Sequence, residues 1–227
     1  TNPVVSMPDA GKIEDAIRNC PFVVVSDVIA KTDTVRHARV RLPAAAWGEK
    51  SGTVTNSERR ISRQRSFLPL PGEARPDWWI VCEVAKHMGF GAAFDYKSTS
   101  EIFAEHAALS GFENNGTRDF DIGQLANISE TEFDRLEPCQ WPRPVGEASS
   151  IRLFTDGKFF TRDGKARFTS LDPEPRRTTP AAYPMTLNTG RVRDHWHTMT
   201  RTAKSQRLSQ HYGEPFAEIH PSDAASY

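Results

Sequence analysis

The sequence predicts an α/β protein built around a parallel sheet, and three observations carry that reading. Apolar residues first recur with helical spacing, then run continuously, then pass through a short helical stretch into a second strand pattern, a β-α-β rhythm. The continuous run is β-branched and bounded by breakers, as buried strands of parallel sheets are. The composition is that of a folded but polar chain. Leu, Ile, Val and Phe make up 46 of 227 residues, close to the level at which disorder sets in. The 29 basic and 29 acidic residues cancel, however, and disorder of that kind needs a charge excess. A chain of this length can bury roughly 70% of its unfolded surface, enough for a real core.

Taken in order, Ile13, Ala16, Ile17 and Cys20 fall on one helical face, and Pro21 ends that helix. Phe22-Val23-Val24-Val25 is the predicted buried strand, with Ser26-Asp27 at its carboxyl end. Thr32 to Ala38 makes a helical turn or two, and Val40 to Leu42 forms a second strand stopped by Pro43. Residues 47–76 show little apolar period and carry the basic string Arg59 to Arg65, so they read as a long loop, a feature that is often functional. Asp77 stands as N-cap before a strong helix, Trp78 to Met88, which Gly89 closes. Ser100 to Ala108 is an amphipathic helix, and Ser129-x-x-Glu132 is a capping box before a short helix reaching Leu136.

Residues 137–146 form a Pro-rich connector. Residues 152–161 then flank Asp156-Gly157, a strong hairpin signal, and Asp163-Gly164 starts a second turn. A second linker, Pro173 to Pro180, leads to Tyr183-Pro184-Met185-Thr186-Leu187-Asn188, which reads as a strand. The domain boundaries expected from these shifts are 1–146, a linker with a β-hairpin over 147–180, and a third part over 181–227.

Several functional classes are disfavoured. A neutral chain has no global field for nucleic acid or anionic lipid, and the only basic string is Arg59 to Arg65. No apolar run approaches the length of a membrane span. Cys20, Cys82 and Cys139 are widely spaced and odd in number, which fits reduced thiols in a cytoplasmic protein better than a disulfide framework. Thr1 and the closing residues both read as the middle of a longer protein, so an internal fragment is expected.

Three stretches could carry chemistry. Thr189-Gly190-Arg191-Val192-Arg193-Asp194-His195-Trp196-His197-Thr198 combines a Gly with two Arg, two His, two Thr and an indole. Guanidinium forks and hydroxyls cradle phosphate oxygens, and Trp stacks on heterocycles. The competing reading is a polar loop anchored by Trp196. His195 and His197 lack a Cys or carboxylate in the usual metal-ligand spacing. Ser26-Asp27 occupies the sheet edge where α/β folds bind ligands, and Asp27 can accept two N–H bonds from a guanine or a ribose hydroxyl proton. The alternative there is an N-cap. Trp47 to Arg60, with Lys50, two Gly and several hydroxyls, could line an anion pocket or be a solvated loop neutralised by Glu49 and Glu58. No Walker, nucleophile-elbow, His-Glu-x-x-His or Cys-x-x-Cys motif is present. No residue is assigned as catalytic or as a metal ligand, so chemistry must come from a cofactor.

In order, Thr1-Asn2-Pro3, Ser26-Asp27, Arg41 to Arg60, Pro71 to Trp79 and Thr189 to Thr198 resemble the molybdopterin oxidoreductase family, and within it the catalytic subunits of bacterial assimilatory nitrate reductases. The resemblance implies an α/β domain with a parallel sheet over the first two-thirds, followed by the start of a double-psi β-barrel. It implies bis-molybdopterin guanine dinucleotide as cofactor, with molybdenum reducing nitrate to nitrite by two electrons. An electron donor protein or reductase subunit is the implied partner. By position, Asn2, Ser26, Asp27, Lys50 and Asp77 match residues that hold the dinucleotide, as do Thr189, Gly190, Arg191, His195, Trp196, His197 and Thr198. The family's four-iron four-sulfur cysteine cluster and the protein ligand to molybdenum are absent from this stretch. Formate or another oxyanion is the alternative substrate, and a non-catalytic nucleotide-binding module is the alternative class.

Overall fold

Described in a computed structural model over residues 2–146, 152–173, 175, 178–199 and 201–226, the chain forms two units from interleaved segments. One comprises Thr1–Cys20, Thr32–His37 and Leu171–Tyr227; the other comprises Pro21–Lys31 and Ala38–Ser170.

In the first unit, Pro3 opens helix α1 (Pro3–Ser6), where its missing N–H has no intrahelical partner to lose. Helix α2 (Ala10–Asn19) follows and ends at Cys20, next to the predicted Pro21 break. Ile13 and Ile17 are its half-buried apolar positions. Glu14 collects Arg18 at 3.0 Å, Arg36 at 2.7 Å and His37 at 3.0 Å. The helical turn predicted within 32–38 is a 3₁₀ turn, Val35–His37, with Thr34 and Val35 buried. The predicted strand over 183–188 does not form. Those residues are turns and irregular backbone, and the regular elements beyond them are a 3₁₀ turn and one-turn helices at Gln206–Ser209 and Pro221–Ala224. A strand needs a neighbour for its N–H and C=O groups, and no strand occurs in this unit among the described residues.

The second unit begins with the predicted parallel pair. Strand β1 (Val24–Asp27) runs beside β2 (Val40–Pro43), with Val24 opposite Val40 and Asp27 opposite Pro43. The strand starts two residues later than the apolar run suggests, so Ser26 and Asp27 are inside it. The expectation of burial fails: Val24 is 47% exposed and Phe22 59%, because two strands and one further bridge, Ala44 with Arg75, are too narrow an array to be covered on both faces.

The segment 47–76, expected to be a loop, is more ordered than predicted. A 3₁₀ turn at Trp47–Glu49 leads into an antiparallel hairpin of β3 (Gly52–Thr55) and β4 (Arg60–Gln64). Asn56 makes the turn: its Oδ1 accepts from the N–H groups of Glu58 and Arg60, and Arg59 adopts φ 64°. The Pro-rich connector supplies β5 (Cys139–Gln140), which pairs with β4. Nor is the Arg string a solvated stretch. Arg59 donates to the Trp141 carbonyl at 2.6 Å and lies over its ring, Arg60 reaches the Pro138 carbonyl, and Arg65 reaches the Asp134 carbonyl. Glu49 caps Ala46 N–H at 2.7 Å instead of neutralising an Arg.

Helix α3 (Asp77–Ala85) has Pro76 at the cap and Asp77 in its first turn, one residue inside the predicted position. It continues into a π turn, Lys86–Phe90, where Gly89 takes φ 91°, as the sequence predicts for a closing glycine. Helix α4 (Thr99–Gly111) is capped by Ser98. The predicted capping box at Ser129 and Glu132 starts α5 (Glu130–Asp134). Ile61, Phe103, Ala107, Ile122 and Phe133 form the core, with Phe103 and Phe133 ring centroids 5.2 Å apart. Buried Asn114 and Asp121 pin the loop after α4: Asn114 donates to Asp121 at 2.9 Å, and Gly123 N–H donates to the other Asp121 oxygen at 2.8 Å. Cys82 is buried and Cys139 half-buried, both as free thiols.

The predicted hairpin around Asp156-Gly157 is not a pair of strands among the described residues. Gly157 N–H bonds to the Phe154 carbonyl in a tight turn, and Phe154 stacks on Phe159 at 4.7 Å. An isolated two-strand ribbon is marginal in water, and here the rings pack on one another instead. The Asp163-Gly164 turn forms, with Gly164 N–H bonded to the Thr161 carbonyl. The opening part of the linker, 147–151, lies outside the described residues.

Candidate functional site

Three parallel segments end on one edge of the second unit. Ala44 N–H donates to the Asp27 carbonyl at 3.1 Å, and Arg75 N–H donates to the Pro43 carbonyl at 3.0 Å. The chain leaving β1, the chain leaving β2 and the chain entering α3 therefore sit side by side, spanning roughly 10 Å at two inter-strand spacings. This carboxyl edge is where open α/β sheets take ligands. Ser26 and Asp27 lie on its first strand and Asp77 just beyond its third. Asp27 Oδ1 accepts Ile29 N–H at 3.0 Å, so the turn-capping alternative is realised, yet its second oxygen takes no hydrogen bond among the described residues.

Lys50 and Asp77, 27 residues apart, meet at 2.5 Å. Beside them opens a cleft of about 350 Å³, lined by Lys50, Ser51, Arg63, Trp78, Ser98 and Thr99 among others. Its volume is at the lower end of ligand pockets, suited to part of a large ligand. Two helices, α3 and α4, turn their first residues toward it, which adds the partial positive charge of unpaired N–H groups. Ser51 and Thr99 hydroxyls lie 3.4 Å apart on its wall. Three acidic residues line it: Glu49 is engaged by Ala46 N–H and Asp134 by Arg63, while Glu130 stands in the first turn of α5. Arg63 keeps one buried donor, Nε, without a partner among the described residues. The donor set of ammonium, hydroxyls and helix starts fits an anionic, phosphate-bearing group.

The remaining predicted residues belong to the first unit. Asn2 Oδ1 accepts from Thr34 N–H at 3.2 Å and from its hydroxyl at 2.5 Å, which fixes the start of α1. Thr189, Gly190 and Arg191 are exposed on irregular backbone. The space around Gly190 is open, so the close backbone approach inferred for it is not made within the chain. His195 is held at both ring nitrogens, by Thr202 Oγ1 at 3.1 Å and the Tyr212 carbonyl at 3.0 Å, while Trp196 N–H donates to the same Thr202 oxygen. The set is consistent with the Thr202 hydroxyl donating to His195 Nδ1 and His195 Nε2–H donating to Tyr212. Trp196 is 66% exposed and packs edge-on against His197 at 4.4 Å, so it presents a ring to solvent instead of anchoring a core. Asp194 is held below the usual aspartate range by its hydrogen bond from His211 and by Arg193.

The structure thus brings Lys50 and Asp77 together and sets Ser26 and Asp27 on the same sheet edge. Sequence reading missed Arg63 and the start of α4 as parts of this site. Ser98 three residues before Glu101 is a capping signal that marks the helix start; nothing in the spacing of Arg63 distinguishes it from its neighbours.

Comparison with known proteins identifies two family regions in the chain. The molybdopterin oxidoreductase family matches residues 1–87, and the molybdopterin dinucleotide binding domain matches residues 185–227. The chain is 57% identical over its whole length to a nitrate reductase of Klebsiella oxytoca, covering 26% of that protein. It is 36% identical over its whole length to the assimilatory nitrate reductase catalytic subunit of Bacillus subtilis, covering 31% of it. It is also 35% identical, over 98% of its length, to an F420-dependent formate dehydrogenase alpha subunit of Methanococcus maripaludis, again covering 31%. The chain spans about a quarter to a third of the length of these curated relatives. No helix among the described residues is long and apolar enough to cross a membrane. With both matches falling on the stretches that carry Asp27, Lys50, Asp77 and the Thr189–Thr198 segment, the chain belongs to the molybdopterin oxidoreductase family.

Proposed function

We propose that this chain forms part of the wall around bis-molybdopterin guanine dinucleotide in a cytoplasmic nitrate reductase. The observation that carries the reading is the Lys50–Asp77 pair beside the α3 and α4 starts, on the edge that also bears Asp27. When bound, the cofactor's molybdenum supplies two-electron chemistry, in which nitrate, two protons and two electrons give nitrite and water. The electrons come from a donor protein or reductase subunit by way of a four-iron four-sulfur cluster elsewhere in the longer polypeptide.

The chain's own residues bind and orient. The unengaged oxygen of Asp27 accepts from guanine N–H groups or a ribose hydroxyl, with Ser26 beside it. Lys50 offsets a phosphate, and Asp77 accepts from a base while favouring the α3 dipole. Arg191 grips pyrophosphate with the Thr189 and Thr198 hydroxyls, Gly190 admits the ligand to the backbone, and Trp196 stacks. His195 and His197 hold the segment's shape, and Asn2 contributes its amide. Residues 181–227 begin the double-psi β-barrel, a reading supported by the dinucleotide-domain match, and residues 1–146 are part of the α/β domain.

The choice of nitrate is supported by the names of the two nitrate reductases above. The formate dehydrogenase likeness favours a second reading, formate oxidation on the same cofactor. Full-length protein should contain molybdenum and release a fluorescent pterin on denaturation, and nitrate should drive oxidation of a reduced dye. Absence of pterin and metal would refute the cofactor reading, whereas formate-dependent dye reduction without nitrate activity would move the substrate to formate.

A further inference from the structure

We propose that Arg63 is the positioning residue for Lys50, setting where its ammonium meets the cofactor. The inference rests on the reading above that Lys50 offsets a cofactor phosphate.

Lys50 lies on the irregular turn before β3, with Gly52 two residues on, and its ammonium pairs with Asp77. Something must hold its backbone. From β4 the Arg63 guanidinium holds the start of β3, two residues on: one arm donates to the Gly52 carbonyl at 3.0 Å and to the Gln64 carbonyl, and the other donates to Asp134 Oδ1 at 2.8 Å. Its central carbon, Cζ, lies 4.2 Å from the centroid of the Phe133 ring, a residue itself 1% exposed. The Arg63 side chain is only 6% exposed. One rigid fork therefore ties the start of β3 to α5 and to the core, on the wall of the cleft that holds Lys50 and Ser51.

A stability role alone explains this poorly. The Arg63 side chain is buried but Asp134 is 62% exposed, so the ion pair itself contributes little to stability, and what remains for the fork to do is fix the chain it ties. The orphaned Nε adds a desolvation cost that a purely structural side chain would avoid. Lysine could not replace the fork, because a point ammonium cannot hold carbonyls on one side and a carboxylate on the other while stacking on a ring.

A double-mutant cycle on the full-length holoprotein tests the assignment. Arg63→Lys, Lys50→Ala and the double variant are compared for the rate at which guanine dinucleotide is lost in mild urea, with thermal unfolding of each recorded in parallel. Asp134→Asn serves as a second, gentler break of the same clamp. Arg63→Lys and Lys50→Ala should each speed loss about tenfold, within the range of coupled contacts, and the double variant should be no faster than Lys50→Ala alone. Asp134→Asn should follow Arg63→Lys in being silent once Lys50 is gone. If the Arg63 effect adds in full on top of Lys50→Ala, Arg63 acts independently of Lys50 and the assignment fails while the cofactor reading stands. If Lys50→Ala alone leaves cofactor loss unchanged, the cofactor role of Lys50 fails and takes this assignment with it.

Discussion

The segment that carries Lys50 and the segment that carries Arg191 are alike in composition, yet they fold differently. Both are short, rich in Thr and Arg, and punctuated by Gly. Residues 47–65 become a hairpin whose Arg side chains each find an acceptor or a ring elsewhere in the same unit. Residues 189–198 remain irregular, held through His195, Thr202 and the Asp194–His211 contact, with Trp196 outward. The difference lies in the partners at hand. Strands β4 and β5 and helix α5 give the first segment hydrogen bonds and apolar cover, whereas residues 189–198 have no strand beside them among the described residues.

That contrast can be broken at its strongest point first. Phe133→Ala, which opens the core under Arg63, should cost about 3–5 kcal/mol in urea unfolding of the 227-residue chain, whereas Leu187→Ala, 90% exposed, should stay within about 0.5 kcal/mol. Equal costs would mean that the two regions are equally packed. A smaller effect sharpens the picture of α5: Ser129→Ala removes the side-chain half of the capping box and should cost about 1 kcal/mol by the same titration.

The smallest effect concerns the irregular segment and depends on pH. Asp194 has its folded pKa lowered by the His211 hydrogen bond and by Arg193. The folded state thus favours the ionised carboxylate, and the contribution is present above the ordinary aspartate value and lost as pH falls through the lowered one. Amide protection over residues 194–212, followed by hydrogen exchange, should decline as pH drops below about 4. Asp194→Asn should remove that dependence; protection that stays flat with pH in the unsubstituted chain would show that the pair holds nothing.

Much of the fold is legible where a signal is local. The helical face of Ile13 and Ile17, the Ser129 capping box, the Gly89 stop and the turn at Asp163-Gly164 need only neighbours in sequence, and each stands where the pattern puts it. The misses require distant partners. Strand β4 is Arg-rich because Arg60 and Arg63 are satisfied by the Pro138 and Gly52 carbonyls and the Asp134 carboxylate, up to 78 residues away, which no period reveals. Tyr183 to Asn188 has strand-like residues but no ladder to join. The site divides in the same way. Asp77 is marked by the helix it starts, and Asp27 by the apolar strand before it, whereas Arg63 is visible only through its contacts with Gly52, Asp134 and Phe133.

The most direct test is a density map of the full-length protein with its cofactor bound. A guanine dinucleotide resting within hydrogen-bonding distance of Asp27, Lys50 and Asp77 is the predicted result. A cofactor fully resolved but touching none of those three side chains would contradict it.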